Sequence, residues 1–460
     1  MFRIGCWLLL GCSFLAALPC FAVTRHYYLA AEDVTWDYAP SGWDLTYGRP
    51  VPVAWGQHTK WPKTRYIEYT DSSFTVRKPQ PEWLGILGPI IRAEVGDTVV
   101  VDFLNRSKQP HSIHPHGLHY DKANEGSFYL PWGNGARIGP GGHFTYHWFA
   151  DKRSGPGPGQ PSSVVWWYHS HIDEPREINA GLLGPIIVTA QGKARPDGSP
   201  KDVDEEFVTS FVIFDELTGR NEGLFHSING YIFGNLQGLV MKKGEKVRWY
   251  VMAMGNERDL HTPHWHGEVV TDGRQNMDVV QLMPASTTTV DMIADNVGTW
   301  MFHCHVADHM EAGMMAEYTI YEPSTRPCPL QFSDGEFWNV PDDKYKLSVR
   351  NESGKKIKSF VLSFEQYVAP NYLRRPFVNT WAASQPLERG GEETLDMKAY
   401  SGGGGQRLLG WVLTPSKVVF EDGSIWEPQQ RGECFGAFWR DKDHPDLQVL
   451  PPEQYETNTD

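Results

Sequence analysis

Cysteine is scarce in this chain, six among 460 residues. Cys6, Cys12 and Cys20 sit in an apolar leader that follows Arg3 and ends at the small residue Ala22, the pattern of a secretory signal cleaved after Ala22. Leu10 and the residues before Cys20 fit a lipid-attachment signal poorly. The mature chain then keeps Cys304, Cys328 and Cys434, too few for a disulfide scaffold. Secretion or export to a periplasm would let Cys328 pair with Cys434; two buried thiols are the alternative, and Cys304 is the odd thiol in either case. No later stretch approaches the ~20 apolar residues of a membrane span. Lys and Arg form no block and the formal charge is -14, so neither nucleic acid nor anionic lipid is supported as a partner. An acidic surface suits a cationic substrate, although solubility is its commoner cause.

Helical periodicity is also nearly absent. Alternating runs such as residues 97–104 and 246–251, bounded by turn residues, read as strands, and the 45 glycines and 33 prolines favour sandwiches over bundles. An internal repeat organises them. His111, His114, His116 and Gly117 have the spacing of His261, His264, His266 and Gly267; His169-Ser170-His171 reads against His303-Cys304-His305. The Ala180-Gly181-Leu182 triplet then matches Ala312-Gly313-Met314. We therefore expect a signal peptide at 1–22, one module at 23–192, a second at 203–323 after a polar linker, and a further β-rich domain at 324–460. That last domain has a single histidine, His444.

More than half of the 18 histidines fall in these motifs. Side chains alternate across a strand, so the two histidines of each HxH triplet share a face and the middle residue takes the other. The pairs His114/His116, His169/His171, His264/His266 and His303/His305 supply eight imidazoles with no carboxylate among them, a set that suits several copper ions better than magnesium, calcium or a lone zinc. Cys304 points away from its flanking histidines, and His261, His309 and Met314 complete the thiolate, two imidazoles and weak thioether of a blue-copper site. Because Cys304 is covalently continuous with His303 and His305, an electron received there has a short through-bond path to the histidine cluster. In the first module Ser170, Pro175 and Leu182 replace the cysteine, second histidine and methionine, so no such site is expected, and His111 is a vestige or a hydrogen-bond donor.

At this point the chain resembles the multicopper oxidases, and among them the ceruloplasmin and hephaestin branch. The likeness runs over about residues 26–322, on stretches at 26–32, 36–40, 84–89, 168–173, 227–231, 255–257 and 303–309. It implies an all-β fold, with two tandem cupredoxin-like Greek-key β-sandwich or barrel domains followed by a C-terminal β-sandwich. It further implies one type 1 copper on His261, Cys304, His309 and Met314; one type 2 copper on His114 and His264; and two type 3 coppers on His116, His169, His171, His266, His303 and His305. With only two copper-type domains the chain resembles small two-domain oxidases, in which the first domain of one subunit meets the second of the next in a homotrimer.

The implied reaction takes single electrons from a reductant at Cys304 and reduces dioxygen to water at the three-copper cluster, with Cys304, His303 and His305 as the electron path. Fe(II) is the favoured reductant. Glu268, Asp272 and Asp278, with Asp121 or Glu125 across an interface, are candidate docking acids, although each alone reads as an ordinary loop residue. The rivals are a laccase-like oxidase of phenols or aromatic amines, a copper nitrite reductase, which would not need every HxH pair, and a non-catalytic copper-binding or structural protein. His119, His143, His147 and His226 read as surface or satisfied polar residues, and Met301, Met310 and Met315 as core. Trp265 and Trp300 are expected to pack around the copper sites. Asn105 and Asn351 match the glycosylation pattern.

Overall fold

A computed structural model describes residues 22–450 apart from 57, 217–222, 322–327, 338–343, 370–372, 399–406, 429–433, 435 and 440–447. The leader before residue 22 and His444 lie outside the described residues. The expected all-β class holds: strands dominate, and the helices among the described residues are short.

In the first module, Lys60–Tyr69, Thr24–Asp37, Thr98–Asn105 and His143–Phe149 form one four-stranded sheet. Ile91–Glu94, Leu183–Thr189, Ser163–His169 and the short His114–Pro115 form the facing one. Leu29, Val99, Val101, Phe103, Tyr146, Trp148, Ile186 and Val188 fill the space between, so the odd-numbered positions of Thr98–Asn105 are all buried while Thr98, Asp102 and Leu104 are half-buried. Thr24–Asp37 runs parallel to Thr98–Asn105 but antiparallel to Lys60–Tyr69, a pairing that no simple chain of hairpins produces.

The second module repeats the plan. One sheet carries Leu224–Ile228, Glu205–Asp215, Lys246–Ala253 and Thr287–Ile293, and the other Val240–Lys242, Met315–Tyr321, Gly298–Cys304 and Pro263–Trp265. A third core, with Tyr38, Ile86, Trp167, Val208, Val212, Phe225 and Tyr250, joins the modules. Buried polar links cross the same seam: Trp36 Nε1 donates to the Gly230 carbonyl at 2.6 Å, Asn229 Nδ2 to that of Trp83 at 2.6 Å, and Lys63 pairs with Glu216. This seam holds the two modules in one orientation.

From Leu330 onward the strands make a three-stranded sheet and a larger one built on Ile357–Ala369 and Arg407–Phe420, around a separate core with Leu347, Phe360 and Leu413. Cys328 and Cys434 are disulfide-bonded beside it, with Cα atoms 5.3 Å apart, which resolves the choice left open by the sequence. Cys304 is the free cysteine among the described residues, and it is buried. The sequons serve structure instead of presenting glycan acceptors. Asn105 and Asn351 are fully buried, and their amide nitrogens donate to backbone carbonyls.

Candidate metal centre

Cys304 ends the strand Gly298–Cys304, and its neighbour Pro263–Trp265 pairs so that Pro263 faces Cys304 and His264 faces His303. This register, with the alternation of strand side chains, sends Cys304 inward and its flanking histidines outward. Inside, Cys304 Sγ lies 3.8 Å from His261 Nδ1 and 3.6 Å from His309 Nδ1, and the two nitrogens are 3.2 Å apart. A trigonal ion with bonds of roughly 2.0–2.3 Å would put sulfur and nitrogen about 3.7 Å apart and the two nitrogens about 3.5 Å apart, so the sulfur–nitrogen distances match copper and the nitrogens need part by only a few tenths of an ångström. Met314, the fourth expected donor, is fully buried in the same core.

The electrostatics agree. Burial opposes ionisation of Cys304, but hydrogen bonds from His261, His309 and the backbone N–H groups of Thr262 and Val306 outweigh it and hold the thiol down at about 6. Burial likewise works against charge on His261, yet Asp259 and Cys304 raise its pKa overall. Asp259 is fully buried, with Oδ1 3.2 Å from His261 Nε2, and its carboxylate accepts backbone N–H groups of Ile213 at 2.8 Å and Asn256 at 2.9 Å. A carboxylate behind a ligating imidazole fixes the ring and raises its basicity. Sequence reasoning missed Asp259; an acid two residues before a candidate ligand was the available signal. It also missed His226, placed among the surface or satisfied residues. The ring of His226 lies 5.1 Å from that of His309, its Nδ1 has no partner among the described residues, and burial with the neighbouring His309 depresses its pKa to about 4.

The outward histidines form two quartets. His116 Nε2 and His169 Nε2 converge to 3.0 Å, as do His266 Nε2 and His303 Nε2. Two bonds of about 2 Å at an angle near 95° produce that separation, so each couple can share one ion. His169 and His303 turn Nδ1 to the carbonyls of Ser170 and Cys304, at 3.0 and 2.9 Å, and His114 Nδ1 donates to the Glu125 carbonyl at 2.7 Å, leaving Nε2 free in each case. Burial and neighbouring imidazoles keep these rings neutral, with His116 and His303 lowered to about 4 and His169 to about 3. His171 and His305 complete the quartets, their rings 5.0 and 5.2 Å from His114 and His264. Among the described residues, every ring contact between these histidines stays within one quartet, and His114 also meets the Tyr120 ring at 5.8 Å.

A tight turn after each HxH pair explains the glycine that follows it. Gly117 and Gly267 adopt φ of +71° and +77°, and a Cβ there would come within 2.1 Å of the Trp166 ring and 2.6 Å of the Trp300 ring. Trp300 thus packs beside a quartet as expected, whereas Trp265 faces the module core with Trp249 and Phe302.

Several expectations need correction. Glu268 caps the N–H groups of Asp295 and Asn296, Asp272 holds Arg274 and the turn after it, and Asp121 caps the turn at Asn124. Glu125 pairs with Lys122 and Tyr129. Asp278 stays exposed, but it lies 3.7 Å from His264, on the quartet side and away from Cys304. Within this chain none of the five meets the triad: Glu268, Asp272 and Asp121 serve their own loops as ordinary loop acids, Glu125 binds the Lys122 and Tyr129 side chains, and Asp278 lies beside His264. In the first module Pro175 is not the counterpart of His309. The helix Glu174–Ala180 is two residues longer than Ala307–Glu311, and the backbone bonds Leu182 N to Glu177 O and Met314 N to His309 O, both 3.0 Å, put Glu177 in that place. His111 Nδ1 meets Glu177 Oε1 at 2.7 Å.

Two sequence profiles, each described as multicopper oxidase, match residues 84–193 and 209–324. Ferroxidase HEPHL1 of Mus musculus is 36% identical over 343 residues, covering 65% of this chain and 29% of the relative. Hephaestin of Homo sapiens is 35% identical over 353 residues, covering 67% and 30%, and ceruloplasmin of Homo sapiens 34% over 349 residues, covering 67% and 32%. The chain thus spans about a third of the length of these relatives. A solved multicopper oxidase structure aligns with a TM-score of 0.47 at 21% identity, covering 65% of this chain and 89% of that one. On the two matched modules, the shared histidine and cysteine motifs and the relatives' identity, the chain belongs to the multicopper oxidase family.

Proposed function

We propose that this protein is a copper-dependent oxidase that takes single electrons from Fe(II) at the Cys304 site and reduces dioxygen to water at a three-copper cluster. The observation that carries it is Cys304 itself, a thiolate-prone sulfur facing two buried imidazoles while its chain neighbours face the opposite way with the cluster histidines. His261, Cys304, His309 and Met314 would hold type 1 copper, His114 and His264 type 2, and His116, His169, His171, His266, His303 and His305 the type 3 pair. Bound copper would supply the one-electron steps that connect Fe(II) to dioxygen. The protein's own part is a path through Cys304 to His303 and His305, neutral imidazoles ready to ligate, and a buried thiolate site closed to water. A relative named as a ferroxidase supports iron as the substrate.

One chain holds its quartets apart, so a complete cluster calls for a second copy, and a head-to-tail homotrimer is part of this reading. Its support is the apolar rim at each quartet. Tyr129, Leu130 and Trp132 stand exposed just after Ser127, which bridges to His171, and Val269 stands exposed just after Gly267. The Cys328–Cys434 disulfide supports an exported protein, and no helix among the described residues is long and apolar enough to cross a membrane.

An aromatic reductant is the second reading, favoured by a cavity of about 280 Å³ lined by Tyr47, Arg49, Phe233, Met310, Glu311 and Met315, two of them on the helix that bears His309. Oxygen uptake by the copper-loaded protein with Fe(II) and with a bulky phenol separates the readings; uptake that never saturates with iron would sink the first. Cys304→Ser should abolish the blue colour and reduce uptake to background while the type 3 absorption remains. Sizing by light scattering checks the trimer.

A further inference from the structure

We infer that the buried His111–Glu177 pair does in the first module what blue copper would do in the second, tying together the segments that aim the cluster histidines. The inference rests on the copper reading of the quartets. The backbone frames of the two sites superpose bond for bond. Ser170 N and Cys304 N donate to the Leu182 and Met314 carbonyls, both at 3.1 Å, and His111 and His261 each join a neighbouring strand residue, Ile138 or Leu282. Ser112 N reaches Ser170 Oγ at 3.0 Å where Thr262 N reaches Cys304 Sγ at 3.4 Å. At the centre, the second module has three metal donors from three segments. The first has a carboxylate that reaches the same three: Glu177 Oε1 accepts from His111 Nδ1 at 2.7 Å, and Oε2 accepts from Ile172 N, the residue after His171, at 3.0 Å.

The side chains of His111 and Glu177 are 5% and 8% exposed, and His111 Nε2 is buried without a partner among the described residues. A site that had only lost its metal could be filled with apolar groups, as Leu182 fills the place of Met314. Burying a hydrogen-bonded polar pair is weak evidence for stability and better suited to fixing one arrangement. What it fixes is visible beside it. Ser112 Oγ accepts from His171 N at 3.1 Å, and the His116–His169 nitrogens sit 3.0 Å apart, the same as His266–His303 across the copper-type site. His111 and Glu177 are therefore positioning residues for the first-module quartet.

The test uses the full copper-loaded chain and three readings: the blue band, the near-ultraviolet absorption of the coupled cupric pair, and oxygen uptake. Glu177→Leu keeps volume and removes the carboxylate's hydrogen bonds to His111, Ile172 and Asp173. It should leave the blue band per chain intact, lose the coupled-pair absorption, and slow uptake about 10- to 100-fold. Glu177→Gln still accepts from Ile172 and can donate to the other tautomer of His111, so it should recover most of both losses. Unchanged coupled-pair absorption and uptake in Glu177→Leu would overturn the inference. So would loss of the blue band along with the rest, which would make Glu177 a folding residue only. A parent protein with no blue band defeats the copper reading itself, before any variant is made.

Discussion

The two modules carry the same frame around different centres. In the second, Cys304, His261 and His309 converge to within 3.8 Å and ask for an ion. In the first, the same three positions hold Ser170, His111 and Glu177, and Nδ1 of the imidazole already meets a carboxylate at 2.7 Å. On the inference drawn above, a strong, directional contact spanning the same segments takes the place that a metal would hold.

That comparison can be broken from the first-module side. The triple substitution S170C/E177H/L182M should create a second blue site, so that blue absorbance per chain about doubles, since thiolate, two imidazoles and thioether are what the site requires. The same design with the histidine at Pro175 in place of Glu177 should give no second site, and titration with Cu(II) followed by visible absorption distinguishes them. A smaller effect tests whether the frames are equal. Gly117→Ala and Gly267→Ala each force a Cβ against a tryptophan ring at positive φ. Each should cost about 1–3 kcal/mol, and thermal unfolding should show similar losses for both. The smallest effect concerns tuning. Asp259→Asn removes a negative charge behind His261, which favours the cuprous state and should raise the type 1 potential by about 59 mV for a tenfold change in relative affinity, measured by redox titration. An unchanged potential would make Asp259 a loop anchor only.

Much of this was legible beforehand. The HxH pairs, Cys304 and Met314 could be read because strand alternation converts spacing into facing direction, and the internal repeat marked Ser170 as a lost ligand. Glu177 was not legible because the helix before Leu182 is two residues longer than its counterpart, so counting forward from Ser170 lands on Pro175. Counting back from Leu182 reaches Glu177, but only the backbone bond between them says which count is right. The loop acids carry a related ambiguity. A carboxylate in a loop can cap backbone N–H groups or face solvent, and Glu268, Asp272 and Asp121 do the former. Asp259 stands two residues before His261, but it and His226 acquire their meaning from burial against the triad, which spacing alone does not show.

By itself, then, the order of residues determined the all-β class, the doubled module, the donor types and which of them share a strand face, because those follow from local periodicity. The tertiary structure decided which donors meet, that the histidine rings of one quartet make no contact with those of the other, and that Glu177, not Pro175, stands at the position of His309. Those depend on distances between segments far apart in the chain, and packing across two sheets sets them.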